Sequence, residues 1–141
     1  MKKLLYILLA VIIVFSSCKK EEASNNNLNV NISNMTGIWE ATSLILDGDN
    51  LSSLATILYW LKADMTIEEN YQYNNSININ DNTGTWELSG SNLIIYWDTG
   101  EKVTYQINSL NNTTVSLILV EWLNDSGYIQ FETGSVTLVK Q

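Results

Sequence analysis

The sequence predicts an all-β protein, an antiparallel up-and-down β-barrel of about eight strands with one short helix. Apolar residues make up 45% of the chain, and seven tyrosines and five tryptophans stand among many β-branched residues, as is typical of sheets. From residue 34 onward, short apolar segments alternate with turns that contain Gly, Asn and Asp. Residues 83–97, TGTWELSGSNLIIYW, have the pattern of a β-hairpin with one apolar face.

This hairpin is the element around which the rest of the domain is predicted to fold. Its turn at residues 90–91 pairs Trp86 with Ile95 and Leu88 with Leu93. Because strand side chains alternate with period two, the same face carries five large apolar residues: Trp86, Leu88, Leu93, Ile95 and Trp97. A three-residue loop ending at Gly100 then pairs Ile95 with Val103 and Leu93 with Tyr105. A face this large and aromatic is expected to be covered by neighbouring strands.

The remaining segments supply those neighbours. A first strand follows Thr36 and reaches Leu46, before a turn at residues 47–50. Residues 51–61 have apolar side chains at i, i+3, i+4 and i+7, which predicts a short amphipathic helix that either covers a cavity or plugs the barrel end. Residues 65–68 and 71–73 are weaker strand signals, followed by a loop over 74–82.

The C-terminal third completes the predicted sheet. Residues 115–123 are apolar on both faces, which indicates either a strand covered on both sides or an exposed patch. A turn at 132–135 is expected to pair Phe131 with Val136 and Ile129 with Leu138. The final strand is positioned to pair with the first strand and close the sheet.

Charge and residue counts exclude several classes of chemistry. The chain of 141 residues has a formal charge of -8, which becomes about -10 once Lys2 and Lys3 are removed with a signal peptide. It contains no arginine, so a nucleic-acid-binding surface is not expected. The absence of histidine excludes His-based triads and the usual zinc sites, and no cofactor is predicted.

The N-terminus has the three parts of a secretory signal, predicted over residues 1–17. Lys2 and Lys3 precede an apolar run over residues 4–15, and two serines follow before Cys18. This ending resembles the bacterial lipobox, which implies that Cys18 is lipidated and anchors the protein to a membrane. An ordinary signal that happens to end in cysteine, or a buried apolar helix, is the alternative.

A polar tether is predicted over residues 18–33, ahead of one domain at 34–141. It begins with Lys-Lys-Glu-Glu at residues 19–22 and continues with Asn- and Ser-rich sequence. The charged run resembles the signal that sends lipoproteins of the Bacteroidota to the outer face of the outer membrane, although it also suits a plain hydrophilic spacer. The expected location is the outer membrane, with the domain at the cell surface.

Two short repeats point to a family. Gly37-Ile38-Trp39-Glu40 opens the domain, and Gly84-Thr85-Trp86-Glu87 repeats the pattern 47 residues later. With the segment from Gly84 to Leu119, they resemble the lipocalin-like domains of Bacteroidota lipoproteins and, more distantly, the lipocalin and fatty-acid-binding superfamily. The resemblance implies a closed barrel that binds a small ligand. It also implies a helix between the first strands that covers the cavity, with Trp60 as its gate.

Five of the six ligand-binding candidates come from the apolar face of the hairpin and its neighbouring strand, and Trp60 comes from the predicted helix. The six are Leu93, Ile95, Trp97, Val103, Tyr105 and Trp60. If the barrel is hollow, these residues line a pocket for a small apolar or glycan-like ligand. If it is filled by its own side chains, the protein is instead an interaction module of an envelope complex, with an exposed aromatic patch at Trp60 or Trp122.

Two polar patterns are weighed as catalytic or metal sites. Glu40 and Glu87 each follow a G-x-W tryptophan, and a pair of acids can hydrolyse glycosides. Alternation places both on the solvent side, so a non-catalytic protein is expected and a carboxylate-based hydrolase is the alternative. Residues 47–50, Asp-Gly-Asp-Asn, look like part of a calcium loop but lack its further ligands, which favours a simple turn or helix cap.

Overall fold

The computed structural model describes residues 28–72 and 82–141, which form ten strands and one short helix, α1, at Ile32–Met35. The strands are β1 Gly37–Leu46, β2 Asp49–Asn50, β3 Thr56–Leu61, β4 Thr66–Gln72, β5 Asn82–Ser89, β6 Asn92–Trp97, β7 Lys102–Leu110, β8 Thr114–Leu123, β9 Ile129–Phe131 and β10 Gly134–Lys140. The predicted signal peptide, Cys18, the charged run at 19–22 and most of the predicted loop at 74–82 lie outside the described residues. No helix in the described ranges is long and apolar enough to cross a membrane.

Eight antiparallel strands close into a barrel. They follow one another in the order β1, β3, β4, β5, β6, β7, β8 and β10, and β10 pairs with both β8 and β1. The two short strands lie off this ring, β2 on β1 and β9 on β8. The predicted all-β barrel is confirmed, as is the closure of the sheet by the last strand against the first.

The central hairpin has the predicted register. Trp86 lies opposite Ile95 and Leu88 opposite Leu93 in the β5–β6 pair. In the β6–β7 pair, Ile95 faces Val103 and Leu93 faces Tyr105, also as predicted. All of these residues except Leu88 are buried, so their shared face forms one wall of the barrel interior.

The predicted helix over residues 51–61 is wrong. Residues 52–54 form a turn, and Thr56–Leu61 is strand β3, which pairs with β1 on one side and β4 on the other. The spacing is ambiguous because Ile57 and Leu61, four residues apart, share a face in a helix and in a strand alike. Tertiary pairing on both sides decides the outcome in favour of the strand.

The short helix of the fold is α1, directly ahead of β1. Asn31 caps it, since the Asn31 side-chain oxygen accepts the backbone N–H of Asn34 at 2.9 Å. Met35, at its end, is fully buried and accepts the indole N–H of Trp39 through its carbonyl at 2.7 Å. The helix therefore closes the barrel end at which β1 begins.

The predicted pairing of Ile129 with Leu138 and of Phe131 with Val136 is also wrong. Strand β9 pairs with β8, where Phe131 lies opposite Trp122 and their ring centroids are 5.0 Å apart. Strand β10 cannot accept β9 because both of its edges are already used in closing the ring between β8 and β1.

Strand β8 is covered on one face only. Val115, Leu117 and Leu119 point into the core and are buried, whereas Ile118 and Val120 are 42% and 55% exposed on the outside. Of the two predicted possibilities for this strand, the structure has the exposed one.

The two G-x-W tryptophans are packing residues. Trp39 and Trp86 are both almost fully buried, and the Trp86 indole N–H donates to the carbonyl of Lys62 at 3.1 Å. Their glycines serve different needs. Gly37 has a φ of 143°, a conformation that side chains disfavour, whereas Gly84 is needed because β6 passes too close to admit a Cβ.

Candidate functional site

The centre of the barrel is nearly filled by side chains. The cavity left there, which we call the inner cavity, has a volume of about 20 Å³ and is lined by inward residues of β3, β4, β6, β7, β8 and β10, among them Tyr59, Glu69, Trp97, Tyr105 and Trp122. A space of this size admits about one water molecule. The central part of the barrel therefore has no room for a large ligand.

A second, larger cavity opens at the barrel end where β1 and β8 finish. This mouth cavity has a volume of about 170 Å³. Six aliphatic and five aromatic side chains line it: Leu44, Leu46, Leu51, Leu54, Ala55, Ile57, Tyr59, Tyr71, Tyr105, Trp122 and Phe131. Tyr59, Tyr105 and Trp122 line both cavities, so the two spaces are neighbours along the barrel axis.

Five of the six predicted ligand-binding residues are brought together in the interior. Leu93, Ile95, Trp97, Val103 and Tyr105 are all at most 8% exposed and line the inner cavity. Of these five, only Tyr105 also reaches the mouth cavity, where there is room for a ligand.

The sixth residue, Trp60, lies elsewhere, and the predicted gate does not exist. Its side chain is 44% exposed on the outer face of β3, with the Lys62 ammonium 4.4 Å from its ring centre. The inward residues of β3 are the alternate ones, Ile57, Tyr59 and Leu61, because a strand turns successive side chains to opposite faces. The place expected for Trp60 is taken by Tyr59.

Within residues 28–72 and 82–141, one carboxylate lies inside the barrel. Glu69 on β4 is 4% exposed and lines the inner cavity. Its Oε2 accepts the side-chain amide of Asn82 at 2.9 Å, and the hydroxyls of Tyr59 and Tyr71 also donate to it. Burial raises the pKa of Glu69 above its ordinary value, although the three hydrogen bonds oppose that rise.

The tyrosine hydroxyls share this environment. Burial, followed by the nearby negative charge of Glu69, raises the pKa of Tyr59 well above its ordinary value. The same two causes raise the pKa of Tyr105. Both phenols therefore stay protonated at neutral pH and remain hydrogen-bond donors inside the barrel.

Trp122 contributes a further polar group to the site. Its indole ring lines both cavities and packs against Phe131, and its buried N–H has no acceptor among the described residues. The alternative prediction that Trp122 forms an exposed aromatic patch is wrong, because the bulge in the β7–β8 pair leaves Trp122 opposite the inward residue Val103.

The sequence patterns did not predict three residues of the site: Glu69, Tyr59 and Tyr71. The signal was present, because Ile67, Glu69 and Tyr71 alternate along β4 and all three line the cavities. Glu69 falls between the predicted strand segments at 65–68 and 71–73, which the structure joins into the single strand β4.

The acidic residues weighed from the sequence as catalytic or metal sites make hydrogen bonds to neighbouring groups. Glu40 accepts the side-chain amide of Gln141 at 2.8 Å, and Glu87 accepts the Tyr96 hydroxyl at 3.0 Å on the exposed outer face. Asp47 lies in a turn and its Oδ1 accepts the backbone N–H groups of Glu132 and Thr133, at 3.0 and 2.9 Å. Within residues 28–72 and 82–141, no three acidic, Cys or His side chains form a group able to hold a metal ion.

The chain is similar to a family model and to a solved structure. A solved structure of a redesigned beta barrel is 15% identical, covers 78% of this chain and 94% of its own, and has a TM-score of 0.46. No match is found among curated proteins. The family model of the lipocalin-like domain, typically a non-catalytic barrel, matches residues 35–117. Because this match covers more than half of the chain, the protein belongs to the lipocalin-like domain family.

Proposed function

We propose that this protein is a non-catalytic lipoprotein of the outer membrane that binds a small apolar ligand in the mouth cavity of its barrel. The observation that carries the proposal is the mouth cavity itself, about 170 Å³ of space with walls that are entirely aliphatic or aromatic among the described residues. Buried apolar cavities of about 150 Å³ bind molecules such as benzene. The cavity is thus of a size to take a benzene-sized ligand.

The filled centre limits the length of the ligand. With only about 20 Å³ left in the inner cavity, a long acyl chain has no place along the barrel axis. The aliphatic residues Leu44, Leu46 and Ile57 in the mouth favour an apolar body over the glycan-like alternative, because a sugar would leave its hydroxyls unpaired against them. A compact apolar molecule is the ligand that fits.

Filling the cavity tests this proposal. Purified protein is titrated with benzyl alcohol by calorimetry, and its thermal midpoint is followed in parallel. Binding is expected to be saturable and to raise the midpoint. Ala55→Phe, which places a ring in the mouth cavity, is expected to abolish binding. Ser53→Phe, two residues earlier and outside the cavity lining, is the matched control and is expected to bind normally. Wild-type protein without saturable binding would contradict the proposal.

The membrane anchor is proposed from the sequence alone. Cys18 follows a charged, apolar and small-residue signal, and several acyl chains on one cysteine hold a small domain stably at a membrane. Metabolic labelling with a palmitate analogue is expected to mark the protein, and Cys18→Ala is expected to abolish the label. Digestion of the domain by protease added to intact cells supports a cell-surface position, and resistance contradicts it.

A second candidate, an interaction module of an envelope complex, is favoured by one outer-face pair. Ile38 and Trp60 lie directly opposite each other on β1 and β3 and are 42% and 44% exposed. Exposed apolar residues of this size are common at contact sites between proteins. Trp60→Ser is expected to release a co-purifying envelope protein and leave benzyl alcohol binding unchanged. An unchanged set of co-purifying proteins would remove this candidate.

A further inference from the structure

The inner cavity contains a negative group that has no positive partner among the described residues. Glu69 is 4% exposed, and none of the described residues lining the cavity is basic. The two ion pairs within the described ranges join Lys62 to Glu68 and Lys102 to Glu121, both at the surface. A buried carboxylate is costly unless it is hydrogen-bonded and its charge is balanced.

Among the described residues, the donors to Glu69 do not fill all of its hydrogen-bond positions. Its two oxygens offer about four acceptor positions, of which the Asn82 amide and the Tyr59 and Tyr71 hydroxyls use three. The remaining position is available to one further donor. The inner cavity beside it has about 20 Å³, enough for a group the size of a water molecule.

The other walls of this cavity are suited to a cation. Tyr59, Trp97, Tyr105 and Trp122 line it together with Glu69. Aromatic faces attract ammonium groups through their quadrupole, and this attraction grows when water is excluded. A carboxylate surrounded by four aromatic side chains combines the two protein groups that attract an ammonium ion.

We propose that the ligand is a small apolar amine, whose ammonium group enters the inner cavity beside Glu69 while its apolar body occupies the mouth cavity. This inference rests on the proposed function and names the chemical class of its ligand. An ammonium group is close in size to water, and the shared residues Tyr59, Tyr105 and Trp122 place the two cavities side by side. The ammonium donates to the free acceptor position of Glu69 and balances its charge.

Other occupants fit less well. An anionic ligand such as a fatty acid would bring a second negative charge next to Glu69, which is unfavourable at low dielectric. A divalent metal ion needs six or more oxygen ligands, whereas this cavity offers one carboxylate and phenol groups. A neutral alcohol fills the same space and donates one hydrogen bond, but it leaves the charge of Glu69 unbalanced.

The experiment compares benzylamine, which is protonated at neutral pH, with benzyl alcohol, which has nearly the same shape. Calorimetric titration at pH 7.5 is expected to show benzylamine binding at least tenfold more tightly, since hydrogen bonds to charged groups contribute roughly tenfold to a hundredfold. Glu69→Gln is expected to remove this preference and to keep the affinity for benzyl alcohol. Glu68→Gln, one residue away on the outer face, is the matched control and is expected to keep the preference.

The outcomes separate the two proposals. Equal or tighter binding of benzyl alcohol by wild type overturns the amine inference and leaves the apolar site standing. Absence of binding by either compound overturns the apolar site. If Glu69→Gln does not fold, the pH dependence in wild type decides, because ionisation of Glu69 should raise the ratio of the two affinities as the pH increases from 4.5 to 8. A ratio that stays constant over that range overturns the inference.

Discussion

Replacing Gly84 with alanine is expected to destabilise the barrel strongly, even though this glycine has no unusual backbone conformation. A Cβ added at residue 84 would lie 2.3 Å from the backbone oxygen of Tyr96 and 3.0 Å from the Cα of Trp97. Both atoms belong to the backbone of β6, so no side chain can rotate away to make room. The two strands have to separate locally.

The size of the effect follows from that separation. Ordinary contacts of a Cβ begin at 3.4 Å, so β6 would have to retreat by about 1 Å from residue 84. Such a shift weakens about two hydrogen bonds of the β5–β6 ladder, each contributing roughly 1 kcal/mol, and adds packing strain of about 1–3 kcal/mol. We expect a loss of about 3–4 kcal/mol from a free energy of unfolding that is roughly 5–15 kcal/mol for such domains.

Urea denaturation of the purified protein measures this loss. Gly90→Ala is the matched control, because a Cβ there meets nothing within 4 Å and only the φ of 62° is unfavourable. That control is expected to lose about 1 kcal/mol. A Gly84→Ala protein that is as stable as Gly90→Ala would refute the argument from close strand approach.

Three other substitutions test separate parts of the fold and site by the same assay. Trp86→Phe removes a buried indole hydrogen bond and is expected to lower the free energy of unfolding by about 2 kcal/mol. Its control, Trp60→Phe on the surface, should change that free energy by less than about 0.5 kcal/mol. Equal effects of the two substitutions would contradict the packing role of Trp86. Met35→Ala, in the helix that closes the barrel end, is expected to lower the free energy of unfolding by about 3 kcal/mol. Ile32→Ala should lower it much less, because Ile32 is 40% exposed. The reverse order would contradict the role of this helix in closing the barrel. Because the pKa of Glu69 is raised, the folded wild-type protein keeps this proton at pH values where the unfolded chain releases it. Wild type should therefore lose stability relative to Glu69→Gln as the pH rises above 4.5. A difference in stability that does not change with pH would contradict the raised pKa.

The alternation of apolar and polar residues predicted the strands correctly where the turn residues also fixed the register. The register of Trp86 with Ile95 and of Ile95 with Val103 followed from period two combined with a two-residue and a three-residue turn. The segment at 51–61 had no such support. Its apolar positions four residues apart fit a helix and a strand equally well. The choice is made by tertiary structure, because β3 pairs with β1 on one side and β4 on the other.

The site was half predictable for the same reason. The inward positions of Tyr105 and Trp97 were predicted correctly because their strands were predicted correctly. Trp60 was predicted wrongly, because residues 56–61 form a strand that points Tyr59 inward and Trp60 outward. The volume of the interior was beyond sequence analysis. It depends on how side chains from eight strands pack together at the barrel axis. Their combined volume leaves about 20 Å³ of space at the centre and about 170 Å³ at the mouth.

Glu69 has a structural role as well as the proposed binding role, and the two can be separated. An apolar replacement would leave the Tyr59, Tyr71 and Asn82 donors without their acceptor, so a destabilised Glu69→Leu protein would be uninformative about ligands. Glutamine removes the charge and replaces one acceptor oxygen by an NH₂ group, while its remaining oxygen still accepts and the tyrosine hydroxyls can accept from the new NH₂. A Glu69→Gln barrel that folds and binds benzyl alcohol, but no longer prefers benzylamine, therefore assigns the preference to the charge of this single carboxylate.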